Sequence, residues 1–148
     1  MSRVDIVPFA TTLLVRDSCL CLHTQRAARA LARRFDDAFR HLGLTNGQFS
    51  LLMSLNRPEP PPMGPVASLL AMDRTTLTAA LKPLQRRGLV EIMADPNDRR
   101  GKRIALTPQG MALLVQAAPI WESTSREVEA LLADGDPDRL RRNLLSLS

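Results

Sequence analysis

Hydrophobic residues recur at helical spacing along most of this chain, and they divide it into a series of amphipathic helices. A pattern at positions 27, 28, 31, 35, 39 and 42 predicts a long first helix over about residues 18–41, which Gly43 is expected to end. Capping residues and prolines delimit the other predicted helices, which span about residues 45–56, 65–70, 73–87, 108–134 and 136–147. The chain is therefore predicted to be mainly α-helical.

The helix predicted to follow Met72 has two faces of different chemistry. Asp73 occupies the N-cap position, and Leu77, Leu81 and Leu84 recur on one side, so that side must be buried. The outer residues are cations and short hydroxyls, which suit contact with a polyanion. These residues are Arg74, Thr75, Thr76, Thr78, Lys82 and Arg86.

A basic hairpin is predicted directly after this helix. Gly88 ends the helix, and two short strands are expected at residues 89–94 and 103–107. Between them, DPNDRRGKR is expected to turn around Gly101, with positive charge too dense to be buried. The residues proposed to face a nucleic acid are Asp98, Arg99, Arg100, Lys102 and Arg103. A helix followed by a basic hairpin is typical of a winged helix-turn-helix, in which the helix enters the DNA major groove.

Charge and length narrow the class of partner. The chain has 148 residues and 45% hydrophobic content, which indicates one domain with one core. Its net charge is +5, its pI is about 10.5, and residues 82–103 hold seven cations against three anions. Because the excess charge is concentrated there, double-stranded DNA is favoured over a membrane surface as the partner.

The same sequence argues against secretion, a metal centre and catalysis. No apolar run is long enough to span a bilayer and no signal-peptide pattern is present, so a cytoplasmic protein is expected. Cys19 and Cys21 stand two residues apart, which argues against a mutual disulfide and a metal site. A nucleophilic pair of Cys19 and His23 lacks an orienting group, and Asp36 and Asp37 are expected to be solvated charges. We therefore expect that the protein is not an enzyme and that it binds no metal and no cofactor.

Three segments, LTNGQFSLL, DRTTLTAALKPLQRRGLV and DPNDRRGKRIALTPQG, together with the order of the predicted elements, resemble the MarR family of bacterial transcription regulators. The resemblance covers about residues 18–132. Its most specific element is a D-x-R pattern at Asp98 and Arg100, followed in order by Thr107 and Gly110. The resemblance implies that Arg100 enters the minor groove and that Asp98 helps to orient the hairpin, or wing.

The resemblance also implies a domain plan and an assembly. Residues 1–148 are expected to form a single MarR-like domain, with residues 1–44 and 108–148 as a helical dimerisation region and residues 45–107 as the winged helix-turn-helix. The expected assembly is a homodimer that represses from a pseudo-palindromic operator and is released by a small molecule or an oxidant. The alternative is a winged-helix adaptor that binds an acidic protein. Such an adaptor does not require cations on both the helix and the hairpin, and this sequence has both.

Two kinds of signal are considered for such a regulator. The resemblance places an effector cleft between the dimerisation helices and the DNA-binding part, and the arginines near the first helix, Arg26 or Arg29, suit an aromatic or apolar anion. The residues expected in this cleft are His23, Arg26, Phe35, Phe49 and Met53. The alternative is thiol-based redox sensing at Cys19 or Cys21, but the chain has no tyrosine to support a reactive cysteine, and both residues are expected to be small buried hydrophobes.

Overall fold

Seven α-helices and one antiparallel hairpin make up residues 5–148, the part of the chain that the computed structural model describes; the first four residues of the predicted dimerisation region lie outside it. A short 3-10 turn, Arg40–Leu42, follows the second helix. In chain order the elements are α1 Phe9–Ser18, α2 Leu20–Phe39, α3 Asn46–Ser54, α4 Met63–Leu69, α5 Arg74–Arg86, β1 Val90–Asp95, β2 Asp98–Leu106, α6 Pro108–Glu129 and α7 Pro137–Ser146.

Side-chain caps fix the starts of the central helices. The Thr45 hydroxyl accepts a hydrogen bond from the Gln48 N–H, and the Gln48 side chain accepts one from the Thr45 N–H, each at 3.2 Å. Asp73 and Thr107 cap α5 and α6 through one bond each, in which the side chain accepts the N–H of Thr76 or Gly110. Each cap satisfies an N–H group that has no partner inside its helix. The predicted starts of α3, α5 and α6 are confirmed.

Two prolines, Pro65 and Pro83, lie within helices in the structure. Pro65 was expected at the first position of its helix, but α4 already begins at Met63. It is tolerated two residues later because the first turn of a helix leaves its N–H groups unpaired anyway. α5 likewise continues through Pro83 to Arg86, and the Pro83 carbonyl accepts the N–H of Arg87 at 3.1 Å.

The hairpin is longer and its turn tighter than predicted. Only Pro96 and Asn97 separate β1 from β2, and Gly101 lies within β2 instead of at the turn. The Asp95 carboxylate accepts the Asn97 N–H and the Asp98 carboxylate accepts the Arg100 N–H, both at 3.0 Å. Such aspartate-to-backbone bonds stabilise a turn without glycine. The charged segment was wrongly predicted as a loop because a solvated strand can carry as much charge as a loop.

One hydrophobic core connects the central elements. Leu77, Leu81 and Leu84 of α5 are completely buried, as the stripe on that helix predicted. They belong to a cluster that includes Phe39, Phe49, Leu51, Leu52, Leu55, Val66, Leu89, Val90, Ile104, Leu114 and Ala117. In contrast, α1 and α7 contain no buried residue. On α6, Leu114, Ala117 and Thr124 are buried, while Trp121 is 42% exposed.

The start of α6 packs directly on the backbone that precedes β1. A Cβ atom built on Gly110 would lie 2.1 Å from the carbonyl oxygen of Leu89. The Thr107 hydroxyl donates to the Gly88 carbonyl at 2.6 Å, and the Thr107 N–H donates to the Leu89 carbonyl at 3.1 Å. Gly110, which belongs to the pattern that resembles the MarR family, is therefore required at this position because any side chain would collide with the Leu89 carbonyl.

A carboxylate ties α2 to the start of α3. Asp36 accepts hydrogen bonds from the backbone N–H of Asn46 at 2.6 Å and from its side-chain amide at 2.9 Å. These bonds, first the backbone one and then the side-chain one, hold the pKa of Asp36 below its usual range. Asp37 instead pairs with Arg40 on the surface, as expected for a solvated charge. The expectation that Asp36 is also only a solvated charge was wrong.

We predict that Gly110→Ala lowers the free energy of unfolding by about 3 kcal/mol or more, because the new methyl group meets backbone that cannot move aside as a side chain can. Gly47→Ala is the matched control, since nothing lies within 4 Å of its Cβ position. That change should stabilise the protein by about 0.4–1 kcal/mol. Denaturant unfolding of both variants measures the contrast, and equal stabilities would contradict the packing described here.

We further predict that Asp36→Ala lowers the free energy of unfolding by about 1–2 kcal/mol at pH 7. Because the folded pKa of Asp36 is lowered, its contribution is present above the unfolded pKa of about 3.9 and is lost as pH falls through the folded value. Melting curves of both proteins between pH 7 and pH 2 should therefore converge at the acid end. Asp37→Ala, which breaks only an exposed pair, should change stability by less than about 0.5 kcal/mol.

Candidate nucleic-acid interface

A groove of about 310 Å³ separates the reading helix, as we call α5, from the hairpin. The structure brings together residues that the sequence placed in two segments: Arg74 and Thr78 on one wall, and Asp98, Arg100 and Lys102 on the other. The start of α4 supplies the remaining wall, with Pro62, Met63 and Gly64. An extended anionic chain that enters this groove would meet cations from both sides.

The outer face of the reading helix is solvated. Arg74 reaches over Gly64, with its Nη2 atom 3.6 Å from the position of a glycine Cβ. The Thr78 hydroxyl donates to the Arg74 carbonyl at 2.8 Å, which leaves its oxygen lone pairs directed outward as acceptors. The predicted contact residues on this helix are all exposed: Arg74, Thr75, Thr76, Thr78, Lys82 and Arg86.

The N-terminus of the reading helix is ordered by its cap. Asp73 accepts the N–H of Thr76 at 2.7 Å, and this hydrogen bond is the main reason that the pKa of Asp73 lies below its usual range. The carboxylate therefore stays ionised at neutral pH and holds the first turn in place. Thr75 and Thr76 thus sit on a fixed part of the helix.

Three hairpin cations, Arg99, Arg100 and Lys102, are exposed on β2. Asp98 shapes the backbone beside them, since its carboxylate accepts the Arg100 N–H. Arg103 differs from these neighbours because its guanidinium donates from Nε to Asp95 at 3.0 Å and from Nη1 to the Pro60 carbonyl at 3.2 Å. Sequence reasoning grouped all four cations together because it could not see which of them meets a carboxylate from the opposite strand.

A second candidate site is an aromatic cavity of about 180 Å³ among α2, α3 and α6. Phe39 and Phe49 stack with ring centroids 4.8 Å apart, and Trp121 continues the stack at 6.4 Å from Phe49. The lining residues are Ala28, Leu31, Ala32, Phe35, Phe39, Asn46, Phe49, Ser50 and Trp121. Such a surface fits a flat apolar molecule, with an amide and a hydroxyl available for one polar group.

The expected effector residues divide into three groups. Phe35 and Phe49 line the aromatic cavity, and Met53 lines a neighbouring cavity of about 290 Å³ that shares Phe49 and Trp121. His23 and Arg26 line neither cavity, because both lie nearer to the exposed start of α2. His23 instead places Nδ1 2.7 Å from the Cys19 carbonyl.

One connecting residue had no sequence signal. Arg87, at the end of the reading helix, donates from Nη1 to the Gly43 carbonyl at 2.7 Å and from Nη2 to the Leu42 carbonyl at 3.5 Å. It therefore joins the reading helix to the turn between α2 and α3, beside the aromatic cavity. In the sequence, Arg87 is only a basic residue before Gly88, the glycine that ends the helix. That pattern does not indicate a contact more than forty positions away.

The cysteines occupy different environments. Cys19 is half-buried at the N-cap of α2, where its Sγ accepts the Leu22 N–H at 3.4 Å. Cys21 is exposed, contrary to the expectation of burial, and its Sγ accepts a hydrogen bond from Gln25 at 3.2 Å. Both thiols are free in the described part of the chain.

Within residues 5–148, no group of three or more His, Cys, Asp or Glu side chains is arranged to hold a metal ion. Among the helices of the described chain, none has the length and apolar character needed to cross a bilayer.

Comparison with known proteins identifies the group to which this chain belongs. The MarR family model matches residues 44–102. The transcriptional regulator MosR of M. tuberculosis, crystallised with DNA, is 42% identical, with a TM-score of 0.80, and the match covers 88% of this chain and 93% of that one. CouR, a repressor crystallised with a 23-mer DNA duplex, is 26% identical, with a TM-score of 0.78 and coverage of 90% and 94%.

A curated relative agrees with the structural matches. The transcriptional repressor MprA of Escherichia coli (strain K12) is 28% identical over 150 residues, which cover 98% of this chain and 82% of MprA. The reading helix and the cap residues of α3 and α5 lie within the residues that the family model matches. The chain is a member of the MarR family of transcriptional regulators, which are not enzymes.

Proposed function

We propose that this protein is a homodimeric repressor that binds a pseudo-palindromic DNA operator and leaves it when an aromatic or apolar anionic effector binds. The observation that carries the proposal is the groove in which cations of the reading helix and of the hairpin face one another. A rigid basic helix beside a basic hairpin fits a duplex, whose major groove admits a helix while its flanking minor groove attracts arginine.

The exposed residues divide into two roles in this proposal. Arg74, Thr75, Thr76 and Thr78 lie on the first turns of the reading helix and contact base edges or adjacent phosphates. Lys82 and Arg86 lie further along and hold the DNA backbone. On the hairpin, Arg100 enters the minor groove, while Arg99 and Lys102 meet phosphates. The basis for this division is that the N-terminal residues of a recognition helix are the ones that reach the bases.

The two ends of the chain supply the proposed dimer interface. α1 and α7 contain no buried residue in the single chain, and large apolar side chains on them are exposed: Phe9 by 72%, Leu14 by 63% and Leu145 by 74%. Continuous apolar surface of this kind is typical of a face covered by a partner. A second copy of the chain would cover both ends and set two reading helices about one DNA turn apart.

The aromatic cavity supports the effector part of the proposal. It is bounded by α2 and α6, which belong to the proposed dimerisation region, and by α3, which packs against α4, the helix that precedes the reading helix. A ligand there would therefore touch both parts of the protein. The lining includes Asn46 and Ser50 but no cation, so an arginine from elsewhere on α2, such as Arg26 or Arg29, would have to reach the charge of an anionic effector.

We predict salt-dependent, sequence-specific binding of the dimer to duplex DNA from beside its own coding sequence. Counterion release should reduce the affinity steeply as salt increases. Arg100→Ala should weaken operator binding by about 1–3 kcal/mol, mostly on A·T-rich flanks, because a narrow minor groove attracts arginine. Fluorescence anisotropy at several salt concentrations, with sedimentation to establish the dimer, measures each of these.

Lys82→Ala is the control for the loss of one positive charge. It should weaken binding to all sequences alike and reduce the salt slope by about 1, without changing the preference for flanking sequence. Salt-independent binding by the wild-type protein would favour the adaptor that binds an acidic protein. An Arg100→Ala variant with unchanged operator affinity at moderate salt would show that the hairpin does not read the minor groove.

We predict that aromatic acids, their thioesters or phenolics raise the melting temperature of the dimer and release it from DNA. A ligand at 100 times its Kd stabilises the folded protein by about 2.7 kcal/mol. Ala28→Trp should fill the cavity and abolish this shift, whereas Ala27→Trp, on the neighbouring face of α2, should not. A variant with both Cys19→Ser and Cys21→Ser should respond as the wild type does.

The comparison ligand is cyclohexanecarboxylate, which carries the same charge without an aromatic ring. An equal thermal shift with that acid would show that the site takes apolar anions in general and does not select an aromatic ring. A full response to aromatic acids in the Ala28→Trp variant would place the effector elsewhere in the protein.

A further inference from the structure

One hairpin cation, Arg103, links three segments of the chain by hydrogen bonds to two segments other than its own. Arg103 on β2 donates from Nε to the Asp95 carboxylate at the end of β1, and from Nη1 to the Pro60 carbonyl in the proline-rich connector before α4. We call the three residues Pro60, Asp95 and Arg103 the wing clamp. The clamp links the far end of the hairpin to a segment about forty residues away in sequence.

The backbone around the clamp repeats the same connection. The Ile104 N–H donates to the Pro61 carbonyl at 3.0 Å, and Pro62 pairs with Arg103 as an antiparallel bridge. Pro61 is buried, although proline-rich segments are usually solvated. Because a proline has no N–H, its carbonyl is the only backbone group with which it can join a strand. The connector is therefore joined to β2 by one isolated bridge.

Burial distinguishes the clamp from the exposed cations beside it. The Asp95 side chain is 9% exposed and that of Arg103 is 20% exposed, whereas Arg99, Arg100 and Lys102 are solvated. The N–H of Asn97 first, and the Arg103 guanidinium next, hold the pKa of Asp95 below its usual range despite its burial. Removal of either partner leaves the other charge poorly solvated and unpaired, so the pair depends on both members.

The clamp also lies at the edge of the candidate DNA groove. The connector runs from Pro60 straight into Pro62, Met63 and Gly64, which form one wall of the groove, while Asp95 lines the same groove beside Arg100. Among the described residues the sheet consists of β1 and β2 alone, and Val90 and Ile104 attach it to the body of the protein at its base. The clamp is therefore a second attachment point, nearer to the exposed arginines.

We propose that Arg103 is a positioning residue that does not contact DNA itself. Through Asp95 and Pro60 it fixes the angle of the hairpin to the connector, and so it presets the distance between Arg100 and the reading helix before DNA arrives. This role rests on the proposed DNA-binding function. Because the clamp orders the hairpin in the free protein, DNA binding does not lose the conformational entropy that ordering the hairpin would otherwise cost.

Charge makes the test decisive, because the clamp contains an acid close to a polyanion site. Asp95→Asn removes a negative charge, so electrostatics alone predicts tighter binding to DNA. If Asp95 acts by holding Arg103, the same variant should bind about tenfold more weakly, within the range for losing one base-contacting arginine. Glu91→Gln is the matched control, since Glu91 is an exposed acid on β1 of the same hairpin, opposite Ala105. It should bind as tightly as the wild type or more tightly.

Arg103→Met should copy Asp95→Asn and should leave the slope of log affinity against log salt unchanged, because no phosphate contact is lost. In an Arg100→Ala background, Arg103→Met should cause no further loss, since the residue that it positions is already absent. A residue with a merely structural role would add its own effect to that of Arg100→Ala. A decrease of about 0.9 in the salt slope for Arg103→Met would assign it a direct phosphate contact and overturn the proposal.

Hydrogen exchange of the free protein separates the clamp from the proposed function. The Ile104 amide should exchange faster in Arg103→Met and in Asp95→Asn, with unchanged exchange in α2 and α5 showing that the fold is intact. Arg103→Lys, which keeps the charge but not the two-pronged geometry, should behave like Arg103→Met. Wild-type protein that binds no duplex would refute the proposed function, whereas wild-type binding with tighter binding by Asp95→Asn would refute only the clamp.

Discussion

The burial of three leucines on one side of the reading helix is the constraint on which the rest of the structure depends. Leu77, Leu81 and Leu84 are completely covered, and burying each such side chain contributes about 1.5–3 kcal/mol. An exposed ion pair contributes about 1 kcal/mol or less. The helix is therefore held mainly by its inner face, and the outer face is free to carry charge that would be unfavourable in the interior.

Polar contacts then set the neighbouring elements around this helix, and each of them includes a backbone group. Asp36 bonds the N–H of Asn46, Arg87 bonds the Gly43 carbonyl, and Arg103 bonds the Pro60 carbonyl. The first two meet on either side of the turn between α2 and α3, next to the aromatic cavity. Displacement of α2 by a ligand would thus reach the end of the reading helix through a short, directly bonded path.

Local patterns in the sequence were sufficient for the parts of the fold that local physics decides. The helix starts at Thr45, Asp73 and Thr107 and the buried leucine stripe followed from capping and spacing, and the winged helix-turn-helix architecture followed from their order. The surface cations of the groove were also found, because charge that cannot be buried must face solvent. Which of them contact DNA remains a prediction.

The errors arose where distant residues decide the outcome. The hairpin turn lies at Pro96 and Asn97 because Asp95 and Asp98 bond the local backbone, and no periodicity shows this. Arg103 and Arg87 have partners more than forty positions away, and a sequence pattern contains no such distance. Trp121 is 42% exposed although it stacks on Phe49 of another helix, and the sequence of α6 alone shows neither property.

The outer face of the reading helix has a consequence for how such regulators diverge. The side-chain hydrogen bonds of Thr78 and Arg86 stay within the helix, to the carbonyls of Arg74 and Lys82. Substitutions at exposed positions without outside partners typically change stability by less than about 0.5 kcal/mol. After gene duplication, one copy can therefore change these residues one at a time and acquire a different target sequence, while the leucines beneath keep both copies folded alike.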